Sequence, residues 1–136
     1  MANAPAIPLL AYKRVPYDES IAWMGADWTG ADVAMEIRPE PGGTGTALVA
    51  LGASVGGAEG VAISYDADYP DPEGELADGA TILNILIDEG TLEALSLGAD
   101  PAADVLLHYD IHLTPTGGKK FLFAAGTFTI KPGVTL

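Results

Sequence analysis

Cysteine is absent from the chain, which removes disulfides, thiolate metal sites and thiol nucleophiles together. Positive charge is scarce: six Lys and Arg stand against nineteen Asp and Glu, for a net charge of −13. A surface this acidic repels phosphate backbones, so nucleic acid is not an expected partner. Long apolar runs are missing too. Those present are broken by Gly, Pro or charge, far short of the ~20 residues a membrane-spanning helix needs. The opening MANAPAIPLLAYKR carries no positive charge ahead of its apolar stretch, so no secretory signal is expected. A chain of 136 residues is expected to form one domain, long enough to bury roughly 65–70% of its unfolded surface.

What is present is alternation. From Val105 to Thr114, Val105, Leu107, Tyr109, Ile111 and Leu113 share one phase, and Leu106, His108, Asp110, His112 and Thr114 the other. After Pro115-Thr116-Gly117-Gly118 a returning run carries Phe121 and Phe123, then Phe128 and Ile130 in the opposite phase. This spacing predicts a long antiparallel hairpin with a β-bulge at Gly126. Further strands are predicted at 17–24, 31–38, 46–51, 61–69 and 80–87, with a turn at Asp27-Trp28-Thr29-Gly30. One helix of about two turns is predicted after residue 87, with Asp88 as N-cap, Leu92 and Leu95 on one face and Gly98 at its end. Pro5 and Pro8 make residues 1–11 an extended N-terminal arm, which can pair at the edge of its own sheet or dock on a neighbour. Residues 12–136 then form a single all-β domain, an immunoglobulin-like β-sandwich of seven to eight strands with one short helix. A small β-barrel is the alternative.

Candidate chemistry is sparse. His108, Asp110 and His112 share a strand face and are a possible metal-ligand set, but side chains at spacing two stand in a row ~7 Å apart, so converging on one ion is awkward. The loop holding Asp66, Asp68, Asp71 and Glu73 offers oxygens for calcium without the spacing of an EF-hand frame. The plain readings are a polar stripe and a solvated loop, so no metal is expected. Ser20, Ser54, Ser64 and Ser96 lie in no G-x-S-x-G context, and the glycines of 52–57 lack the Lys of a phosphate loop. Paired carboxylates for glycosidase chemistry are inevitable by chance among so many acids.

Taken in order, Asp27-Trp28-Thr29-Gly30-Ala31-Asp32-Val33, Ile37-Arg38, Leu92 to Gly98, Tyr109-Asp110, Gly117-Gly118, Phe121 to Thr129 and Gly133-Val134-Thr135 resemble a class of small tailed-bacteriophage structural domains. The resemblance implies a β-sandwich adaptor of tails, baseplates, necks or fibre-attachment regions. It implies a virion component made in the bacterial host cytoplasm, without enzymatic activity or cofactor. Such a domain would assemble as a ring or trimer and bind other virion proteins. Stopping at Leu136, with no receptor-binding module after the domain, favours an adaptor, neck or decoration role. Neighbours would be held through strand edges, the 42–60 loop, the arm residues Ile7, Leu9 and Leu10, and Trp23 and Trp28. A carbohydrate-binding sandwich, with the two tryptophans and the acidic loop as its platform, and a capsid decoration protein are the alternatives.

Overall fold

Alternation decides which face of each strand is buried, and here two sets of strands turn their apolar faces toward one another. The structure, a computed structural model, describes residues 7–12, 15–24 (backbone only at Met24), 27–40, 47–54, 58–68, 79–95 and 103–131. Along the chain run β1 (Leu9–Tyr12), β2 (Tyr17–Met24), β3 (Asp32–Arg38), β4 (Val49–Leu51), β5 (Gly60–Asp66), β6 (Ala80–Ile87), α1 (Glu89–Leu95), β7 (Val105–Thr114) and β8 (Phe121–Lys131). They form a five-stranded sheet in the order β1-β8-β7-β3-β4 and a three-stranded sheet in the order β2-β6-β5. The protein is an all-β sandwich with one short helix. Its strand order is immunoglobulin-like: β2, β6 and β5 take the B-E-D positions of that plan, and β8, β7, β3 and β4 the G-F-C-C′ positions. Among the described residues the sheets stay separate, so the barrel alternative does not hold.

The core lies between the sheets. Met35, Ile37, Leu83, Ile85, Ile87, Ile111, Leu113, Phe123, Phe128 and Ile130 are fully buried. Leu92 closes one end from α1 and is also fully buried. Asp88 holds the N-cap position, its carbonyl accepting the first helical bond from the Leu92 N–H at 3.1 Å. Glu59 Oε2 accepts from the Asp88 backbone N–H at 2.8 Å and from the Thr91 hydroxyl at 2.7 Å. A charge brought from far along the chain thus sits at the positive end of the helix. Gly98 lies outside the described residues.

The bulge is displaced from its predicted position. Ile111 pairs with Ala124 and His112 with Leu122, so Phe123 is the extra residue, and Phe123 and Ala124 are both buried. Gly126 has another role. Opposite Tyr109, it lets the chain before β1 lie across β8: a Cβ there would stand 2.6 Å from the Ile7 carbonyl oxygen. The Ile7 N–H donates to the Ala125 carbonyl at 2.9 Å, and the Tyr109 hydroxyl donates to the Ile7 carbonyl at 2.7 Å. Leu9–Tyr12 then pairs parallel with Phe128–Lys131. Of the two placements open to the arm, its described part takes the edge of its own sheet. That choice positions everything below, because β1 lies against β8 and, among the described residues, leaves β2 with β6 as its one strand partner.

Candidate functional site

His108, Asp110 and His112 project from the outer face of β7 in a shallow groove of about 310 Å³, between Glu36 and Arg38 of β3 and Leu122, Ala125 and Thr127 of β8. They share a face, as the alternation predicts, but do not converge. His112 Nδ1 is 3.8 Å from Asp110 Oδ1, too long for a hydrogen bond. That oxygen is shielded from water and has no donor. Glu36 turns both carboxylate oxygens to Arg38 at 3.3 Å. Among the described residues no three His, Asp or Glu side chains come together as an ion would require. In the acidic loop, Asp66 Oδ1 accepts from the Asp68 N–H at 3.0 Å, closing the turn after β5, and Asp68 is exposed. Asp71 and Glu73 lie outside the described residues. Of the candidate serines, Ser54 donates to the Ala58 carbonyl and Ser20 accepts from Asn84 across the β2–β6 pair, while Ser96 lies outside the described residues.

The tryptophans are half-buried and packed against the core. Trp23 and Trp28 meet edge to face at 4.8 Å, and both pack on Phe121 and Phe123, with centroids 5.0 to 6.2 Å apart. Such pairs each add about 0.5–1.5 kcal/mol beyond burial. The Trp28 N–H donates to Thr81 Oγ1 at 2.9 Å, tying the β2–β3 turn to β6. Within that turn Asp27 Oδ1 accepts from the Thr29 N–H and hydroxyl, which holds its carboxyl below the usual range, and Gly30 supplies a φ of 86°. Among the expected interface residues, Leu9 is a correction: it faces the core and is only 7% exposed. Ile7 is half-buried and pinned, while Leu10 is exposed. Leu10, Thr129 and Leu106 form a row across β1, β8 and β7. Beside it Tyr12 pairs with Lys131, whose ammonium holds Asp104 at 2.9 Å. The outer face of the five-stranded sheet thus mixes both signs of charge with exposed Leu10, Tyr12 and Leu106.

The other sheet is different in kind. The N–H and C=O of Val61 point away from β6, bonding to Gly52 and Ser54. Strict alternation along the antiparallel ladders then turns Gly60, Ala62, Ser64 and Asp66 toward β6, and directs β6 residues Thr81, Leu83, Ile85 and Ile87 to Trp23, Ile21, Glu19 and Tyr17 of β2. The backbone groups of Asp18, Ser20 and Ala22 face outward, without a strand partner among the described residues. Asp18 and Glu19 lie on this edge, and Glu59, Asp66, Asp68, Asp88, Glu89 and Glu93 lie elsewhere on the three-stranded sheet, its flanking turns and α1. Every described Lys and Arg (Arg38, Lys119, Lys120, Lys131) belongs to β3 or the β7–β8 hairpin. Asn84 Nδ2 holds the Asp18 carboxylate at 2.9 Å and the Ser20 hydroxyl at 3.1 Å. Sequence reasoning missed this edge. The signal available was the run from residue 39 to 118, which carries no Lys or Arg, although Lys13 and Arg14 stand just before β2.

No family model matches the chain, and no curated protein matches it. Among solved structures it is similar to the crystal structure of the periplasmic chaperone SfaE, with 8% identity and a TM-score of 0.40. The match covers 96% of this chain and 57% of that one. The chain therefore spans little more than half the length of that chaperone.

Proposed function

We propose that the chain is a non-enzymatic structural domain of a tailed-bacteriophage particle, a tail, baseplate or neck adaptor that works by holding neighbours. The observation that carries the assembly part of this reading is the division of its surface. One side offers a near-neutral sheet face with exposed Leu10, Tyr12 and Leu106, and the other a bare strand edge among carboxylates. Copies of the chain meet through the former, where apolar contact is not opposed by like charge. Other virion proteins meet the latter by adding a strand. The phage setting rests on the resemblance of the turn and core residues alone. A capsid decoration role uses the same two surfaces. The glycan-binding alternative has less ring surface to use, because Trp23 and Trp28 are half-buried and lean on Phe121 and Phe123 at tilted angles.

Light scattering behind size exclusion tests the reading. The expected mass is a small multiple of 13.9 kDa, falling toward the monomer when Leu10→Asp and Leu106→Asp are combined. A wild-type chain that stays monomeric and binds glycans on an array contradicts it.

A further inference from the structure

We infer that the outer edge of β2 is a strand-addition site for an extended segment of another polypeptide that contains a dibasic pair. The inference rests on the assembly reading above and names the edge and the partner's chemistry. Four strands end the two sheets, and they differ in how they are protected. β4 has three residues, and β1 has four with Pro8, which lacks an N–H, leading into it. The start of β5 is strapped by Gly52 and Ser54. β2 has eight residues, and its outward groups at Asp18, Ser20 and Ala22 have no strand partner among the described residues. It is the longest bare edge described.

Glu19 decides what that edge accepts. It lies in phase with Tyr17, Ile21 and Trp23, which pack inward, yet it is exposed at the flank of the sandwich. Its charge is close enough to the Tyr17 hydroxyl to help raise that group's pKa, behind the larger effect of burial. A strand laid along β2 covers Glu19 on one face and Asp18 on the other. Covering an ionised carboxylate is strongly unfavourable unless a cation meets it. Residues opposite Asp18 and Glu19 are consecutive in the incoming strand, one on each face, so the matching sequence is Lys-Lys, Lys-Arg or Arg-Arg in an extended run. A second copy of β2 does not qualify. Two-fold pairing centred on Ser20 sets Asp18 and Glu19 against Ala22 and Ile21, with no cation supplied. Of the chain's own two dibasic pairs, Lys119-Lys120 of another copy does not qualify, being held between the turn at Pro115–Gly118 and the β7–β8 ladder, and Lys13-Arg14 lies outside the described residues. The guard is thus selective: it rejects neutral and acidic strands and admits a basic one.

The test is an amide NMR titration of the full chain with two synthetic peptides, acetyl-Thr-Val-Lys-Lys-Val-Thr-amide and its Glu-Glu analogue. The expected result is saturable shifts centred on Asp18, Ser20 and Ala22 with the Lys-Lys peptide, and at least tenfold weaker binding of the analogue. In Glu19→Lys, with Asp18→Lys added, the preference reverses. Glu19 and Asp18 are exposed, and an unchanged spectrum elsewhere verifies the fold of the variant. Equal response to both peptides, shifts that map to another surface, or a preference that survives the charge reversal overturns the inference. Light scattering reads assembly separately, so a chain that oligomerises yet ignores both peptides overturns the edge assignment alone.

Discussion

The two sheets of this sandwich are built from the same alternation but finished differently. The five-stranded sheet is closed on one side by β1, latched through Ile7, Tyr109 and Gly126, and carries cations, carboxylates and exposed leucines together on its outer face. The three-stranded sheet, among the described residues, has a bare edge at β2 and no Lys or Arg. The difference teaches that one short strand can set where a sandwich is open. With β1 on β8, Leu9 and Ala11 join the core and the unpaired backbone of the described strands falls to β2.

Substitutions in the latched sheet should cost stability, and substitutions at the open edge should change association instead. The largest expected effect is at Phe123, the fully buried extra residue of the bulge. Phe123→Ala should lower unfolding stability by about 3–5 kcal/mol in a denaturant titration, since it leaves a cavity under both tryptophans. Gly126→Ala should cost about 1–3 kcal/mol by driving Ile7 off β8, with faster amide exchange confined to residues 7–12. Tyr109→Phe removes the hydroxyl that donates to Ile7 and should cost about 1 kcal/mol.

Tyr109 also sharpens the comparison through pH. Burial pushes its hydroxyl up to about 12 and raises that of Tyr17 as well. In the unfolded chain tyrosine ionises near pH 10. Above that pH the unfolded state therefore binds fewer protons than the native one, and stability falls as pH rises. The contribution is whole below about pH 10 and is lost through about pH 12. Unfolding free energies measured across that window should decline, and Tyr109→Phe should make the decline shallower.

The smallest effect on stability, within about 0.5 kcal/mol, is expected from the combined Asp18→Ser and Glu19→Val. Its consequence lies elsewhere. With both carboxylates gone, β2 edges pair with each other, and the light-scattering mass should rise above the wild-type value with concentration. Ala22→Pro, which removes one outward N–H, should reverse that rise.

Much of this fold was legible in the sequence because alternation reports burial directly. β3, β6, β7 and the turn at Asp27–Gly30 follow from it, as does the inward phase of Phe121 and Phe123. Alternation does not report neighbours. Nothing in LLAY says that it pairs with β8 rather than β2, and that choice rests on contacts between residues more than a hundred positions apart. The bulge was sought at Gly126 because glycine marks irregular backbone, but a buried Phe-Ala step carries the phase change, and the glycine answers to the approach of Ile7. Asp88 takes the N-cap position that local rules give it, whereas the Glu59 carboxylate that accepts from its N–H has no local signal. The polar stripe on β7 was visible as a stripe, whereas its failure to converge became evident only with Arg38 occupying Glu36.

Amide hydrogen exchange along β2, measured on dilute protein, tests the bare edge most directly. Tyr17, Glu19, Ile21 and Trp23 should be protected by β6, while Asp18, Ser20 and Ala22 exchange close to the rate of an unstructured chain. Protection shared evenly by both sets would mean that this edge is already covered, and would contradict the account.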